Sequence, residues 1–587
     1  MENLDIAHVL EELADLLEIQ GANPFRIRAY RNAVRTVEGL TRPMRSMVDA
    51  GEDLTTLPAI GKDLAEHIVE LIRTGRMTRL EELASELPRS LVELMRLDGV
   101  GPKKARKLFD ALGVRTVDDL EAALLAGKVQ DLEGFGRKSA EKILRAIEDH
   151  RKHVGRFLLD DVEQLLSPVL EHVLLAEGVG RVRVAGSFRR RKETIGDVDL
   201  LAEYDGDGTA VVQHFVAYPG AERVEAAGGT KGNIVLRSGL SIDLRVIPPR
   251  SFGAALQYFS GSKEHNVAVR THAVRRGLRV NEWGVFRVPE GADPANLGKE
   301  EGERLAGESE EGVYQALGMA WVPPELRENR GEVEASLAGT LPRLVTVADI
   351  RGDLQMHSTW SDGKASLEEM ARACRERGYE YLAITDHSQA MAMVQGLTPE
   401  RAREQWAEVE EVRERVTGIE ILKSAEVDIL KDGTLDLPDE ILEGLDVVVV
   451  SVHSFMDQDR NTMTERVLRA IQHPEVDILA HPTGRLLNRR EPFELDVEAI
   501  LAAAAELGVA VELNANPNRL DLSDVHVMRA KELGVKVVVS TDAHTPRGLE
   551  NMRYGVDQAR RGWLEPGDVL NAMPAMDFMS WLRRREG

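Results

Sequence analysis

GSFRRRKETIGDVDLL, residues 186–201, is the stretch on which the reading of the chain turns. Its end, DVDLL, has the alternating, β-branched character of a strand, so Asp197 and Asp199, two apart, fall on one face and can hold divalent cations together. Upstream, Gly186 and Ser187 give a turn with free amides and a hydroxyl, and Arg190 adds charge, a combination that suits a triphosphate. Asp243, in SIDLRVIP, sits on another apolar strand, where a carboxylate needs a partner or a metal. Three carboxylates around two Mg²⁺ ions would lower the pKa of an attacking hydroxyl and stabilise a leaving pyrophosphate. An Asp-x-Asp pair on a strand edge means little by itself; the glycine-serine turn and the third acid give it weight.

Outward from this stretch, VRVAGSF, NIVLRSG and SIDLRVIPP complete a mixed sheet, and residues 251–321 mix helix and strand. The first 150 residues are amphipathic helices, such as AHVLEELADLLEIQ and FRIRAYRNAVRTVEGL, joined by glycine turns. Three of those turns resemble one another: LPAIGKDLAEHI with Gly61, LDGVGPKKARKLF with Gly99, Gly101, Lys103 and Lys104, and LEGFGRKSAEKIL with Gly134, Gly136, Arg137 and Lys138. Glycines let the turn approach a surface, and amides at the following helix start can bind phosphate, as in a helix–hairpin–helix that grips a nucleic-acid backbone without reading bases. A tight connection between two helices is the plain alternative for any single copy, and the repetition favours the nucleic-acid reading.

The end of the chain repeats one unit. DLQMH, YEYLAITDH, IEILKSAEV, DVVVVSVHS, VDILAH, VAVELNAN and VKVVVSTDAH alternate with helical stretches, which predicts parallel strands with crossover helices closing, or nearly closing, a barrel. Strand ends converge on one face of such a barrel, and these strands end in His357, His387, Glu426, His453, His481, Asp542 and His544, with Asp362 close behind the first. A lone histidine of this kind is more often packing than ligand. Eight together can hold two or three Zn²⁺ or Mn²⁺ ions, with Glu426 bridging, for attack on a phosphate ester.

The chain has 587 residues, too many for one core, with 43% hydrophobic and 30% charged residues, 50 Gly and 23 Pro, which excludes collagen, coiled coil and wholesale disorder. Its start carries acids where a signal peptide needs bases, and no apolar run is long enough to span a bilayer, so a cytoplasmic protein without a membrane partner is expected. The single Cys374 excludes an intrachain disulfide and a thiolate cluster, and points to a reducing compartment. Net charge is −24, but most of the excess acid lies in residues 349–587, while Arg181, Arg183, Arg189, Arg190, Arg191 and Lys192 form local basic runs that suit nucleic acid.

Over residues 1–320 the chain resembles the X-family DNA polymerases, the group that contains polymerase beta, because GSFRR…GDVD, IDLRVIP and YFSGS…HNVAVR…GLRVNEW occur in the family's order and spacing. The resemblance implies Asp197, Asp199 and Asp243 as catalytic ligands of Mg²⁺ or Mn²⁺, and Gly186, Ser187 and Arg190 as the seat of the incoming triphosphate. Tyr258, Phe259, Gly261 and Asn266 match sugar and base contacts, and Arg270 matches the residue that checks the nascent pair. In members with 5′-deoxyribose phosphate lyase activity a Schiff-base lysine stands where this chain has His67, whose imidazole cannot form an imine, so the lyase step is doubtful.

From about 349 to 587 the chain resembles the PHP (polymerase and histidinol phosphatase) family. That resemblance implies one ion on His357, Glu426 and Asp542, a second on Glu426, His453 and His481, and a third on Asp362, His387 and His544, with Arg485 as a phosphate clamp or a solvated loop charge. The family opens with His-x-His where this chain has Gln355-x-His357, which weakens the first site or selects a harder ion such as Mn²⁺.

The combination implies a bacterial-type family X polymerase with a PHP nuclease, a monomer that takes gapped or nicked duplex DNA and dNTPs, fills short gaps in base excision repair and trims 3′ ends as a 3′–5′ exonuclease. The expected fold is multidomain: a helical DNA-end-binding domain (1–85), helical fingers (86–155), an α+β nucleotidyltransferase palm (156–250), a thumb (251–322), a linker (323–348) and a distorted (β/α)7 barrel (349–587). Two rival readings are a catalytically idle DNA-end clamp delivering a nuclease, and a barrel acting as phosphatase on a small metabolite.

Overall fold

The computed structural model describes residues 3–38, 44–95, 97, 99–132, 134–153, 155–291 and 297–583. They form two compact units, one built essentially of residues 1–155 and the other of nearly all that follows. Among the described residues, no helix is long and apolar enough to cross a membrane.

The elements described in the first unit are all helices. Apolar residues at helical spacing in Asn3–Gln20 (Ile6, Leu10, Leu13, Leu17) are fully buried among Tyr30, Leu64, Ile68, Leu108 and Ile143 from the helices around them. Each such leucine contributes about 1.5–3 kcal/mol by leaving water. The three glycine turns lie where the sequence places them. Gly61 caps Lys62–Thr74, Gly101 caps Pro102–Leu112 with proline in the first turn, and Gly136 precedes Arg137–His153. Gly99 and Gly134 have φ of +88° and +89°, the left-handed region that favours glycine.

In the second unit, strands Val182–Val184, Asp197–Glu203, Ser241–Ile247, Lys231–Leu236 and Ala221–Ala227 lie in that order across one sheet. The strand Ala221–Ala227 lacks an apolar alternation and was not legible, because its outer face is solvated. Asp197–Glu203 and Ser241–Ile247 run parallel, which sets Asp199 opposite Asp243. Beyond the sheet come helices Phe252–Ser260 and Lys263–Arg275, the antiparallel strands Leu278–Asn281, Gly284–Arg287 and Glu303–Ala306, and helix Glu310–Ala316. Gly253 is obligatory there, since a Cβ would stand 2.1 Å from the Ser309 carbonyl carbon.

Residues 323–348, expected to be a linker, are packed. They hold the helix Glu332–Ala338, and Leu326, Val333 and Leu344 are buried with Val280, Val285 and Tyr314. Their apolar residues are too widely spaced for periodicity to betray them. They fill gaps between elements and do not build one face of a helix.

The seven expected barrel strands are all present: Gly352–Asp353, Tyr381–Ile384, Glu420–Asp428, Val447–Ser451, Ile478–Leu479, Ala510–Asn514 and Val537–Ser540 pair in parallel in sequence order. A parallel bridge between Met356 and Ala543 joins the first and last strands, with the His357 amide donating to the Ala543 carbonyl (2.8 Å) and the Asp542 amide to the Gln355 carbonyl (3.0 Å). At the opposite end, where strands begin, Phe578 of helix Ala575–Arg583 is buried with Tyr381, Val447, Ile478 and Ala510, stacking on Tyr381 with ring centroids 4.6 Å apart. The ring plugs the barrel floor. Phe578→Ala should therefore destabilise the second unit by about 3–5 kcal/mol in urea unfolding, and a loss below about 1 kcal/mol would mean that the floor is closed without it.

Candidate functional site

Two carboxylate-rich centres stand in the second unit. In the first, the shared register and the two-residue spacing put Asp197, Asp199 and Asp243 on one face of the sheet, with Arg245 two residues beyond Asp243. Burial, reinforced by the charges of Asp197 and Asp243, pushes the Asp199 carboxyl up to about 6. Asp243 Oδ1 is buried, accepts no hydrogen bond and faces Lys231 Nζ at 3.4 Å. Like charges crowded this way, with an oxygen left unsatisfied, fit divalent cations. The glycine-serine turn lies directly over them: Gly186 has φ +64°, a Cβ there would stand 2.9 Å from Asp199 Oδ2, and the Ala185 amide donates to the Asp199 carbonyl (2.8 Å).

The expected nucleotide contacts gather beside this centre. The Asn266 side chain donates to the Tyr258 carbonyl (2.6 Å) and accepts from Gln257 Nε2 (3.0 Å), and a Cβ at Gly261 would press to 2.7 Å from Asn266 Oδ1. Tyr258 and Phe259 meet edge to face at 5.1 Å, and the Arg245 guanidinium lies 4.5 Å from the Phe259 ring centre, tying this platform to the strand of Asp243. Arg270 is exposed and donates to the Asn266 carbonyl (3.2 Å). Arg190 is held by Glu328 (3.0 Å) and the Ser260 carbonyl (2.8 Å).

In the helical unit, Lys103, Arg137 and Lys138 are exposed at the starts of their helices. Arg137 pairs with Glu141 (3.1 Å). Lys104, expected among the phosphate contacts, is turned to another use: its Nζ donates to the Gly99 carbonyl (2.9 Å) and the Ser139 hydroxyl (3.3 Å) and lies over the Phe135 ring. It staples the second glycine turn to the third. His67 Nδ1 lies 3.2 Å from the Tyr30 hydroxyl.

The second centre lies at the strand ends of the barrel. Glu426 is its hub: one oxygen is 2.9 Å from His481 Nε2 and 3.4 Å from His453 Nε2, the other 3.2 Å from His387 Nδ1 and 3.5 Å from His357 Nε2. His357 Nε2 is also 3.1 Å from Asp542, and Asp362 reaches His387 (3.7 Å) and His544 (3.2 Å). The donors that converge most closely are His357, Asp362, His387 and His544 in one group and His387, Glu426 and His453 in another, so His387 is shared between two groups where one ion had been expected for it. Burial lowers His387 to about 4; burial works the same way on His544, but the Asp362 and Asp542 carboxylates outweigh it and raise that imidazole to about 9. His481 and Asp542 are non-glycine residues at φ +26° and +54°, backbone strain held at the two places where strands must turn a ligand inward.

Sequence reading missed the groups that hold these ligands. Glu512 accepts from the His481 amide (2.6 Å) and Ser540 hydroxyl (2.9 Å), and burial raises its carboxyl well above the usual range. Asn514 donates to Asp542 (3.2 Å), Arg519 faces Asp542 (3.6 Å), and Asp428 lies 3.4 Å from His453 Nδ1. Glu512 and Asn514 alternate in VAVELNAN with side chains toward the centre, a signal in plain view that the terminal histidines overshadowed. Arg485, expected as a phosphate clamp or a solvated loop charge, is not solvated: it is buried, pairs with Glu193 (2.8 Å) and donates to the Arg519 (3.0 Å) and Leu520 carbonyls.

Gln355 is buried with neither amide atom hydrogen-bonded, and His357 Nδ1 and His481 Nδ1 are likewise buried without a hydrogen-bond partner. Orphaned donors and acceptors around a shared carboxylate fit a set of N/O ligands for divalent ions.

Known proteins match the chain in the same places. A helix-hairpin-helix domain model matches residues 1–77, a SAM-like helix-hairpin-helix tandem 91–149, the DNA polymerase beta thumb 255–328 and the PHP domain 353–516. The chain is 39% identical over 588 residues to the DNA polymerase/3'-5' exonuclease PolX of Bacillus subtilis (strain 168), covering 100% of both chains. A probable phosphatase of Thermoanaerobacter sp. (strain X514) is 32% identical over 227 residues, 36% of this chain and 87% of its own. DNA polymerase lambda of Arabidopsis thaliana is 27% identical over 347 residues, 55% of this chain and 62% of its own.

The orphaned amide of Gln355 generates a test. Gln355→His supplies an imidazole, the better ligand for borderline ions. Metal content measured after gel filtration should rise, and chelator should strip the variant more slowly. An unchanged metal content would place Gln355 outside the centre.

Proposed function

We propose a gap-filling enzyme of DNA repair on the premise that the chain belongs to the family X DNA polymerases with a C-terminal PHP domain, as its full-length similarity shows. The chain is a DNA-directed DNA polymerase with 3′–5′ exonuclease activity, depends on divalent metal and binds DNA. The observation that carries the finer reading is the register of Asp199 opposite Asp243 beneath the Gly186 turn.

Divalent ions held by Asp197, Asp199 and Asp243, Mg²⁺ or Mn²⁺, would assist the primer hydroxyl and stabilise the leaving pyrophosphate. The protein's own part is placement. Gly186 and Ser187 bring backbone amides and a hydroxyl over the carboxylates for the triphosphate, with Arg190 at the end of the turn. Asn266 fixes Tyr258 and Gly261 under the sugar and base, and Phe259, braced by Arg245, walls the platform. Exposed Lys103, Arg137 and Lys138 with the glycine turns at Gly61, Gly99, Gly101, Gly134 and Gly136 grip phosphates on either side of a short gap without reading sequence. His67 cannot form an imine, so no lyase step is assigned to it.

In the barrel, Zn²⁺ or Mn²⁺ held around Glu426 would supply hydroxide for hydrolysis of a 3′-terminal phosphodiester. His357, Asp362, His387, His453, His481, Asp542 and His544 hold the site, while Glu512, Asn514 and Arg519 orient them. Trimming a damaged or mispaired end and then filling the gap joins the two activities, in a monomer acting on gapped duplex and dNTPs. The likeness of the barrel to probable phosphatases supports a second reading, hydrolysis of small phosphomonoesters, which comparing their turnover with that of 3′-recessed DNA decides.

Asp243→Ala should cut dNTP incorporation on a gapped duplex by at least about 10³-fold, because it removes a ligand needed in the transition state, and should leave DNA degradation within about twofold. Loss of both activities in a folded variant would contradict two separate centres.

A further inference from the structure

The helix Met552–Arg561 follows directly on the barrel loop of Asp542 and His544. One side of it is pressed onto the barrel: a Cβ at Gly555 would meet Ala515 Cβ and Val539 Cγ1 at 2.6 Å, so the helix has no room to shift. Asp557, Gln558 and Arg561 share another face, by helical spacing, and that face holds the residues that end the glycine-serine turn. Asp557 pairs with Arg191 Nε (2.6 Å), and Gln558 Nε2 donates to the Arg191 carbonyl (3.0 Å). Arg561 Nη1 donates to the Arg190 carbonyl (2.7 Å) and to Glu328 (3.1 Å), and its Nη2 to Asp524 (2.6 Å).

Glu328 is thus gripped from two sides, by Arg561 and by Arg190 Nε (3.0 Å). With Arg190 Nη1 on the Ser260 carbonyl, the guanidinium is fixed in plane, and among the described residues no acceptor takes its Nη2. Arg191 adopts φ +57°, a left-handed conformation that a non-glycine residue keeps only where its surroundings over-determine it. Here those surroundings are Asp557, Gln558 and Arg561, all of the nuclease barrel, together with Glu163 at 2.7 Å.

We propose that Arg561 is a positioning residue of the polymerase centre: it shapes the triphosphate seat by holding the Arg190 carbonyl and, through Glu328, the Arg190 guanidinium. The proposal rests on reading Gly186, Ser187 and Arg190 as that seat. The barrel is then a structural part of nucleotide binding as well as the carrier of hydrolysis. The planar guanidinium meets its three acceptors from two separate nitrogens, whereas a lysine ammonium would have to reach all three from a single one.

The test is steady-state gap filling by the full-length protein with four variants, Arg561→Gln, Arg561→Lys, Glu328→Gln and Arg190→Ala. Arg561→Gln should raise KM for dNTP roughly tenfold, and the inhibition constant of added pyrophosphate by the same factor, while kcat and KM for gapped DNA stay within about twofold. Glu328→Gln should act in the same direction, and Arg561→Lys should recover only part of the loss. Parallel loss of kcat and of KM for DNA, with a lowered Tm, would mean support of the fold alone and would overturn the proposal. So would an unchanged KM for dNTP in Arg561→Gln and Glu328→Gln. If Arg561→Gln does not fold, Glu328→Gln decides by the same two constants. An unchanged KM for dNTP in Arg190→Ala would instead refute the triphosphate reading on which the proposal stands.

Discussion

Asp199 and Asp243 face each other across a parallel strand pair, and Asp197 shares their side of the sheet. Burial disfavours the charged form of Asp199, and repulsion from Asp197 and Asp243 adds to it, which is why its carboxyl is pushed to about 6. The charges of Arg245, half-buried, and Lys231, exposed, offset that strain only in part. The structure around the centre follows from the need to hold these acids until cations neutralise them. The strands Asp197–Glu203 and Ser241–Ile247 lie inside the sheet, flanked on both sides, so the acids cannot move apart. The turn at Gly186 leaves no space above Asp199 for a side chain.

The barrel solves a related problem in the opposite way. Its buried acid, Glu426, is surrounded by four imidazoles, so its carboxyl lies well below the usual range despite full burial. The first and last strands must meet for that ring to close, and the bridge from Met356 to Ala543 does this one residue away from His357 and Asp542. Closure of the fold and assembly of the site rest on the same contact. The plug at the opposite end, Phe578 on Tyr381, lets the short strands Gly352–Asp353 and Ile478–Leu479 remain part of a sealed barrel.

Between the two centres runs a seam of buried and half-buried ion pairs: Arg191 with Asp557, Arg561 with Asp524 and Glu328, and Arg485 with Glu193. Such pairs stabilise little in net terms, because desolvation opposes their attraction, but breaking one partner is costly. They join particular donors to particular acceptors, which an apolar contact in the same place would not do. The packed segment 323–348 supplies Glu328, so the residues that look like a spacer in the sequence are part of the joint.

Residue spacing alone determined the three acids, the glycine turns, the seven strands and the eight polar residues at or just behind the strand ends, because each depends on a period of two or on a short local motif. The resemblance to the PHP family showed in addition that Gln355 stands where a histidine is usual. Tertiary structure alone decided what depends on distant partners. Lys104 turned inward because Gly99, Ser139 and Phe135 come together only when the second and third hairpins pack. Arg485 found Glu193, nearly three hundred residues away, and the supporting Glu512 and Asn514 gained their role only when strand Ala510–Asn514 lay between its neighbours. A charged side chain carries no mark of its partner in the sequence. Its function is set by which oxygen or nitrogen the folded chain brings within three ångströms, and that is a property of packing over the whole unit.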